Sequence, residues 1–455
     1  MSIYKTRKLM AAFAIAATVL TPVTVWAETL TDALRSAYKH SGLLEQNRAL
    51  LRAADEDVAT AVAALYPVIA YAASVNYNNP NGAASTTTSN LGITAELTIF
   101  DGGRSRRAID AQKETVLATR ESLVSVEQAV LFRAVSAYMS VIRSAQFVSL
   151  RQNNVRVITQ ELRAARDRFD VGEVTRTDVA IAEARLASAR SGLATAQGTL
   201  AQSREEYKVA VGHYPGALRN PPAVPLPAKS LEAAKAIAVQ RHPDVRQAQR
   251  QVSVADINVD RASLATRPTL KAGINAGINN AGRPNHGASL SLTGPIYQGG
   301  RLSALHRQAV ARKDAARSSL LVTTLAVQQA VGNAWSSLLV ARAGRDAGNR
   351  AVRAQRVAFR GVREEAKLGS RTTLDVLNTE QELLNAEANL VSAVTDEYIA
   401  SYQLMSSMGL LTATNLRLGI KTYDPTAYYN VVRTAPVQSK QGKALDRIFK
   451  SMGKN

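Results

Sequence analysis

Phe100-Asp101-Gly102-Gly103-Arg104 returns as Tyr297-Gln298-Gly299-Gly300-Arg301, an offset of 197 residues. Working outward, Val171-Gly172 followed by Thr175 and Asp178 returns at the same offset as Leu368-Gly369 followed by Thr372 and Asp375. Val211-Gly212 likewise returns as Met408-Gly409. Upstream the offset is 201: Leu30 matches Leu231, Asp55 matches Asp256 and Pro67 matches Pro268. The register therefore changes by four residues between Pro67 and Phe100. Insertions concentrate in loops, so a loop lies there in each copy. The chain is an internal duplication, and this must be read before the fold.

Both copies follow one order. A helical segment comes first, from Thr29 to about Tyr66 and from Ser230 to about Arg267, with Thr29 and Ser230 as N-caps and Pro67 and Pro268 as stops. A pair of strands follows. In the first copy they span 68–78 and 89–100, with Leu91, Ile93, Ala95, Leu97 and Ile99 in period two and a polar loop between the strands. In the second copy they span 269–279 and 288–297. Such lengths cross a bilayer at a tilt.

The Gly-Gly turns then open the longest elements. Arg104 to Val171 is 68 residues without Gly or Pro; Arg301 to Leu368 is 68 residues without Pro. A helix of that length is about 100 Å long, which implies a coiled coil or helical tube. Gly172 and Gly369 are turn residues. Beyond them run two more helical stretches of 39 residues each, so the helical hairpins are 104–211 and 301–408. The repeats are thus 28–211 and 230–411, joined by a Pro-rich linker, 212–229. Segment 412–455 closes the chain and ends in a basic tail expected to be disordered.

Residues 1–27 read as a secretory signal: Lys5, Arg7 and Lys8, an apolar Leu9–Leu20, then Val25-Trp26-Ala27. Removing it takes the formal charge from +20 to +17. That basicity does not point to nucleic acid: the chain is exported, its Arg residues are scattered, and no aromatic stacking platform interleaves with them. There is no cysteine, hence no disulfide framework. The five His residues show no ligand spacing, so neither metal nor other cofactor is expected. No nucleophile motif or phosphate loop suggests an enzyme.

Four strands cannot close a barrel, and open edges are forbidden in a bilayer because unpaired backbone groups find no water there. Either the chain oligomerises, with three copies giving twelve strands, or it is a non-channel periplasmic structural protein built on helical bundles with a small sheet.

The duplicated order of helix, Pro, strand, loop, strand, aromatic-x-Gly-Gly-Arg, long helix, Val/Leu-Gly-x-x-Thr-x-x-Asp, helix resembles the TolC family of outer-membrane export channels. The closing Tyr423-Asp424-Pro425 with Tyr428 and Tyr429 is similar to the type I secretion branch. The resemblance implies a membrane α+β fold: a homotrimer whose 12-stranded outer-membrane β-barrel continues into a long periplasmic α-helical barrel. It implies a passive conduit for drugs, toxic small molecules or secreted proteins, contact with outer-membrane lipid, a periplasmic adaptor, and an inner-membrane ABC or proton-driven exporter.

It also implies a periplasmic gate. Thr177 and Asp178 fall on the first hairpin's gate pair, Arg371 on the arginine that bonds to it, and Asp375 and Asn378 on the positions lining the constriction. Two departures stand out: Asn378 replaces an acid, and Ala366, beside Glu365, replaces a tyrosine. Asp178 and Asp375 carry two readings, helix capping alone or capping plus gate contact. The turns at Val171, Gly172, Thr175, Leu368, Gly369 and Thr372 are the implied adaptor-docking surface. Gly102, Gly103, Gly299 and Gly300 read as structural strand-to-helix turns.

Overall fold

A computed structural model describes residues 27–79, 81–82, 84–222 and 227–433, with isolated positions 443 and 447. The signal segment before Ala27 and the basic tail beyond Arg433 lie outside the described residues, apart from those two positions.

The first helical segment of each copy is two helices, not one. α1 (Leu30–His40) and α2 (Gly42–Ala63) meet at Ser41, whose hydroxyl accepts from the Leu44 amide at 3.2 Å. In the second copy α5 (Leu231–Arg241) and α6 (Pro243–Ser263) break at His242, because the ring of Pro243 denies its predecessor the helical conformation. Thr29 and Ser230 cap α1 and α5 as expected. A short 3₁₀ turn, Leu264–Thr266, follows α6.

The four strands are β1 (Val68–Asn78), β2 (Thr86–Phe100), β3 (Thr269–Asn279) and β4 (Pro284–Thr293). β2 begins three residues before the expected position 89, because the Thr86-Thr87-Thr88 run pairs with β1 rather than looping out. β4 is shifted to 284–293 from the expected 288–297, since Gly294-Pro295 ends the ladder and Tyr297 lies outside it. The sheet is antiparallel in the order β1-β2-β3-β4. Val68 faces Glu96 and Thr269 faces Thr293, so the two hairpins repeat in identical register.

α3 (Arg104–Asp170) and α7 (Arg301–Lys367) are 67-residue helices, returning through α4 (Arg176–Val211) and α8 (Thr373–Ser407). Their starts at Gly103 (φ +90°) and Gly300 (φ +82°) are left-handed, as are Gly102 and Gly299, which is why glycine stands there. Among the described residues no helix is long and apolar enough to cross a membrane.

One core gathers α1, the middle of α3, the end of α4 and residues 411–418 around Tyr138, Leu131 and Tyr207. A second joins α5, α7 and α8 around Leu338 and Leu404. α9 (Pro425–Val432) then lies back over α2 and α3, with the Tyr428 hydroxyl donating to Glu56 at 2.6 Å. That part of the closing segment is helical.

Candidate functional site

The two hairpin tips are built alike from their sequences up. At the first, Gly172 (φ +78°) turns the chain and Glu173 N–H returns to the Arg168 carbonyl at 2.9 Å. At the second, Gly369 (φ +80°) turns it and Ser370 N–H returns to Glu365 at 3.0 Å. These bonds satisfy the carbonyls left over at the helix ends. Val171 and Leu368 stand at the apices 71% and 85% exposed, two apolar side chains presented to whatever meets the tip.

Each return helix opens with a reciprocal capping box. The Thr175 hydroxyl donates to Asp178 at 2.7 Å, and the Asp178 amide donates back to the Thr175 hydroxyl at 3.3 Å. Thr372 and Asp375 repeat this at 2.8 and 3.1 Å. The Thr175 hydroxyl and amide hold the Asp178 carboxyl below the usual carboxylate range. The Thr372 amide and hydroxyl do the same for Asp375, with Arg371 adding a smaller pull. Both acids are therefore charged, and both are committed to capping.

An open cleft spans the tips and brings Arg168, Thr175 and Asp178 together with Ala366, Arg371 and Asp375. Within it Arg371 does not reach Thr177 or Asp178. Its Nε donates to Glu365 Oε2 at 2.9 Å, inside its own hairpin. Ala366 is buried, and Glu365 beside it supplies the acceptor. Thr177 stands exposed in the first turn of α4.

The contacts that join the hairpins lie one to several turns above the tips, and most involve residues the sequence reading did not single out. Arg185 on α4 donates to Asn378 Oδ1 on α8 at 3.0 Å. Asn154 on α3 donates to Glu380 on α8 at 2.5 Å, both side chains buried. Burial pushes the Glu380 carboxyl up, against the pull of the Asn154 bond. Arg363 pairs with Glu161 at 3.0 Å. An apolar seam of Ile158, Leu162, Ala182, Leu186 and Leu377 lies among them. Nothing near Glu380 in sequence marks it, because its partner is 226 residues away.

The sheet presents a second surface with chemistry. Ile69, Tyr71, Val75, Ile93, Leu91, Ile274, Ile278, Leu290 and Leu292 share one face by register and are exposed. The opposite face carries Ser74, Thr94, Asn275, Ser289 and a Lys271–Glu96 ion pair at 2.6 Å. One greasy and one polar face is the alternation found in the wall of a water-filled membrane pore.

The sequence pattern of the outer membrane efflux proteins matches residues 33–213 and 236–410, the two repeats. The outer membrane efflux protein BepC of Brucella suis biovar 1 is 36% identical over 93% of this chain and 94% of its own. The outer membrane protein TolC of Escherichia coli is 24% identical over 92% and 90%. Crystal structures of CusC superpose with a TM-score of 0.74 over 84% of this chain and 92% of that one, at 19% identity. The fold is that of the trimeric channels with a helical barrel, and the chain belongs to the outer membrane efflux protein family.

Proposed function

We propose that this chain is the outer-membrane conduit of a tripartite export machine. Three copies form a polar pore through the outer membrane and a helical tube through the periplasm. The exposed Val171 and Leu368 at the tips are the docking points for a periplasmic adaptor. An ABC or proton-driven pump of the inner membrane supplies the energy, and drugs, toxic small molecules or secreted proteins pass without chemistry. The family works in this mode, as homotrimers with adaptors and inner-membrane pumps.

The observation that carries the gate is the single cleft in which both tips meet. Closure rests on two layers. At the tip, Arg371 braces the second turn through Glu365. Above it, Arg185–Asn378 and Asn154–Glu380 tie one hairpin to the other. Such charge-assisted contacts are strong enough to hold an aperture and can exchange when a partner docks. With Asn at 378 and both tip acids engaged in capping, the constriction carries less free negative charge than a ring of carboxylates would.

Single-channel conductance in planar bilayers tests this. The wild-type protein gives discrete, low-conductance openings, and Arg371→Ser enlarges or prolongs them. Unchanged openings in that variant remove Arg371 from the gate. No conductance from a folded protein removes the conduit.

A further inference from the structure

The seam between the first hairpin and α8 does not close along its whole length. It is tied toward the tip by the buried Asn154–Glu380 bond at 2.5 Å, and further up by Arg143 and Asp396 at 3.5 Å. Between those ties lies a cavity of about 260 Å³, walled by Phe147 and Leu150 of α3, Ala196 of α4, and Leu384 and Ala388 of α8. The duplication shows why it exists. At the offset of 197, Phe147 and Arg151 become Gly344 and Gly348, and Gly192 and Ala196 become Asn389 and Ala393. In the second hairpin those glycines let the helices touch: a Cβ on Gly348 would lie 3.3 Å from Leu390 Cδ1, and one on Gly344 3.8 Å from the Ala393 Cβ. In the first hairpin a phenyl ring and a guanidinium stand at the same two positions and leave a hollow.

Arg151 lines this cavity and makes neither a hydrogen bond nor an ion pair among the described residues. It acts on the buried Glu380 carboxyl at a distance, beyond ion-pair reach. Its guanidinium lies across Gly192, with Nη1 3.5 Å from where a Cβ would stand. The hydroxyls of the lining are already committed. Thr195 donates to the Ser191 carbonyl at 3.1 Å, Thr199 donates to the Thr195 carbonyl at 3.1 Å, and Ser144 bonds to Ser203 at 2.8 Å. The hollow therefore offers apolar walls and one uncommitted cation, the layout of a site for a small amphiphilic anion.

We infer that this cavity binds a small aromatic carboxylate, its ring system among Phe147, Leu150 and Leu384 and its carboxylate on Arg151. A guanidinium takes a carboxylate through two parallel hydrogen bonds, and the Phe147 ring favours an aromatic body. The volume lies just under the roughly 300 Å³ at which drug-sized pockets begin, so one or two rings are the limit. Because α8 supplies one wall, the ligand fits only while α8 lies against the first hairpin. By mass action it stabilises that arrangement. This last consequence rests on the gate reading where it touches export: a bound acid opposes the parting of the hairpins. The site itself does not rest on it.

The test uses the purified full chain in detergent, naphthoate as the probe and naphthamide as its neutral match. Calorimetry should give one naphthoate per chain. Naphthamide on the wild type, and naphthoate on Arg151→Gln, should each bind at least about tenfold more weakly, with Arg151→Lys in between. Ala196→Leu fills the hollow from the opposite helix and should abolish binding while the helical signal stays unchanged. In the wild type, naphthoate should slow amide exchange in the 380–388 stretch of α8. Equal affinity for the amide, or for Arg151→Gln, overturns the anion site; the amide comparison needs no variant, so it holds whatever a substitution does to folding. Binding that survives Ala196→Leu puts the ligand elsewhere and overturns the cavity. No binding at all overturns the site, the hollow then being covered by a neighbouring copy or another protein. Binding without slower exchange overturns the clamp on α8. None of these readings needs a conducting pore, so the site and the conduit fail separately.

Discussion

Asp55 and Asp256 occupy one position of the duplication and meet opposite surroundings. Asp256 lies exposed and pairs with Lys313 at 3.2 Å. Asp55 is fully buried beneath the Tyr423–Tyr429 side of the closing segment, with no hydrogen-bond partner for either oxygen among the described residues. Burial pushes its carboxyl up to about 6, with Arg120 opposing and Glu56 adding to the rise. Arg120 is itself held over the Tyr429 ring at 5.1 Å, and Arg48 over Tyr423 at 5.3 Å. A carboxyl raised in the folded state binds its proton more tightly there than when unfolded. Its contribution is therefore present at low pH and is lost as pH rises from about 4 through about 6. Amide exchange of α9, corrected for intrinsic rates, should be slower at pH 5 than at pH 7.5, and Asp55→Asn should remove that difference. A pH response that survives the substitution would assign it elsewhere. Nothing around Asp55 in sequence distinguishes it from Asp256, because the residues that bury it arrive some 370 positions later. Glu380 was illegible for the same reason. Asn154→Ala strands its buried carboxylate and should cost about 1–3 kcal/mol, read as a lower temperature for loss of helical signal.

At the scale of elements, reading fared best where local chemistry decides the structure. Helices of 67 residues follow from an absence of Pro, joined in α3 by an absence of Gly, and both capping boxes follow from Thr-x-x-Asp after a glycine turn. It fared worst where a weak breaker competes with a strong helical pattern. Ser41 and Pro243 each split what reads as one amphipathic run, and Gly294-Pro295 ends β4 before its expected aromatic. Both breaks were legible signals: Pro243 bars the helix at the residue before it, and Ser41-Gly42 is a turn-marking pair. The capping boxes themselves are testable. Thr175→Ala and Thr372→Ala should each cost about 1 kcal/mol, confined to the tips. Hydrogen exchange over the first turns of α4 and α8 should accelerate by roughly fivefold while the α3 and α7 centres stay protected. Uniform acceleration along the hairpins would mean that the tips do not open locally.

For the whole molecule, the decisive question is which face of the sheet sees water. The answer follows from composition: the face of Ile69, Tyr71, Ile93 and Leu290 is mostly apolar, with Thr87, Ser89 and His286 its polar members, whereas the other carries amides, hydroxyls and the Lys271–Glu96 pair. A lysine placed at mid-membrane on a lipid-facing strand costs about 2–4 kcal/mol, and one placed toward the lumen costs little. Ile93→Lys should therefore abolish stable insertion, while the adjacent Thr94→Lys should insert normally and alter only conduction. The ion pair sharpens the argument. In a trimer it repeats three times at one level, so the ring is neutral as it stands. Lys271→Ala leaves three Glu96 carboxylates facing one another across the lumen. A KCl gradient should then give a reversal potential shifted toward cations, and restoring the charge as Lys271→Arg should return it. An unshifted potential in the alanine variant would mean that this ring does not border the conducting path. The faces of the sheet would then have to be assigned the other way, with a buried ion pair against lipid, where each unpaired charge is far costlier than in a pore.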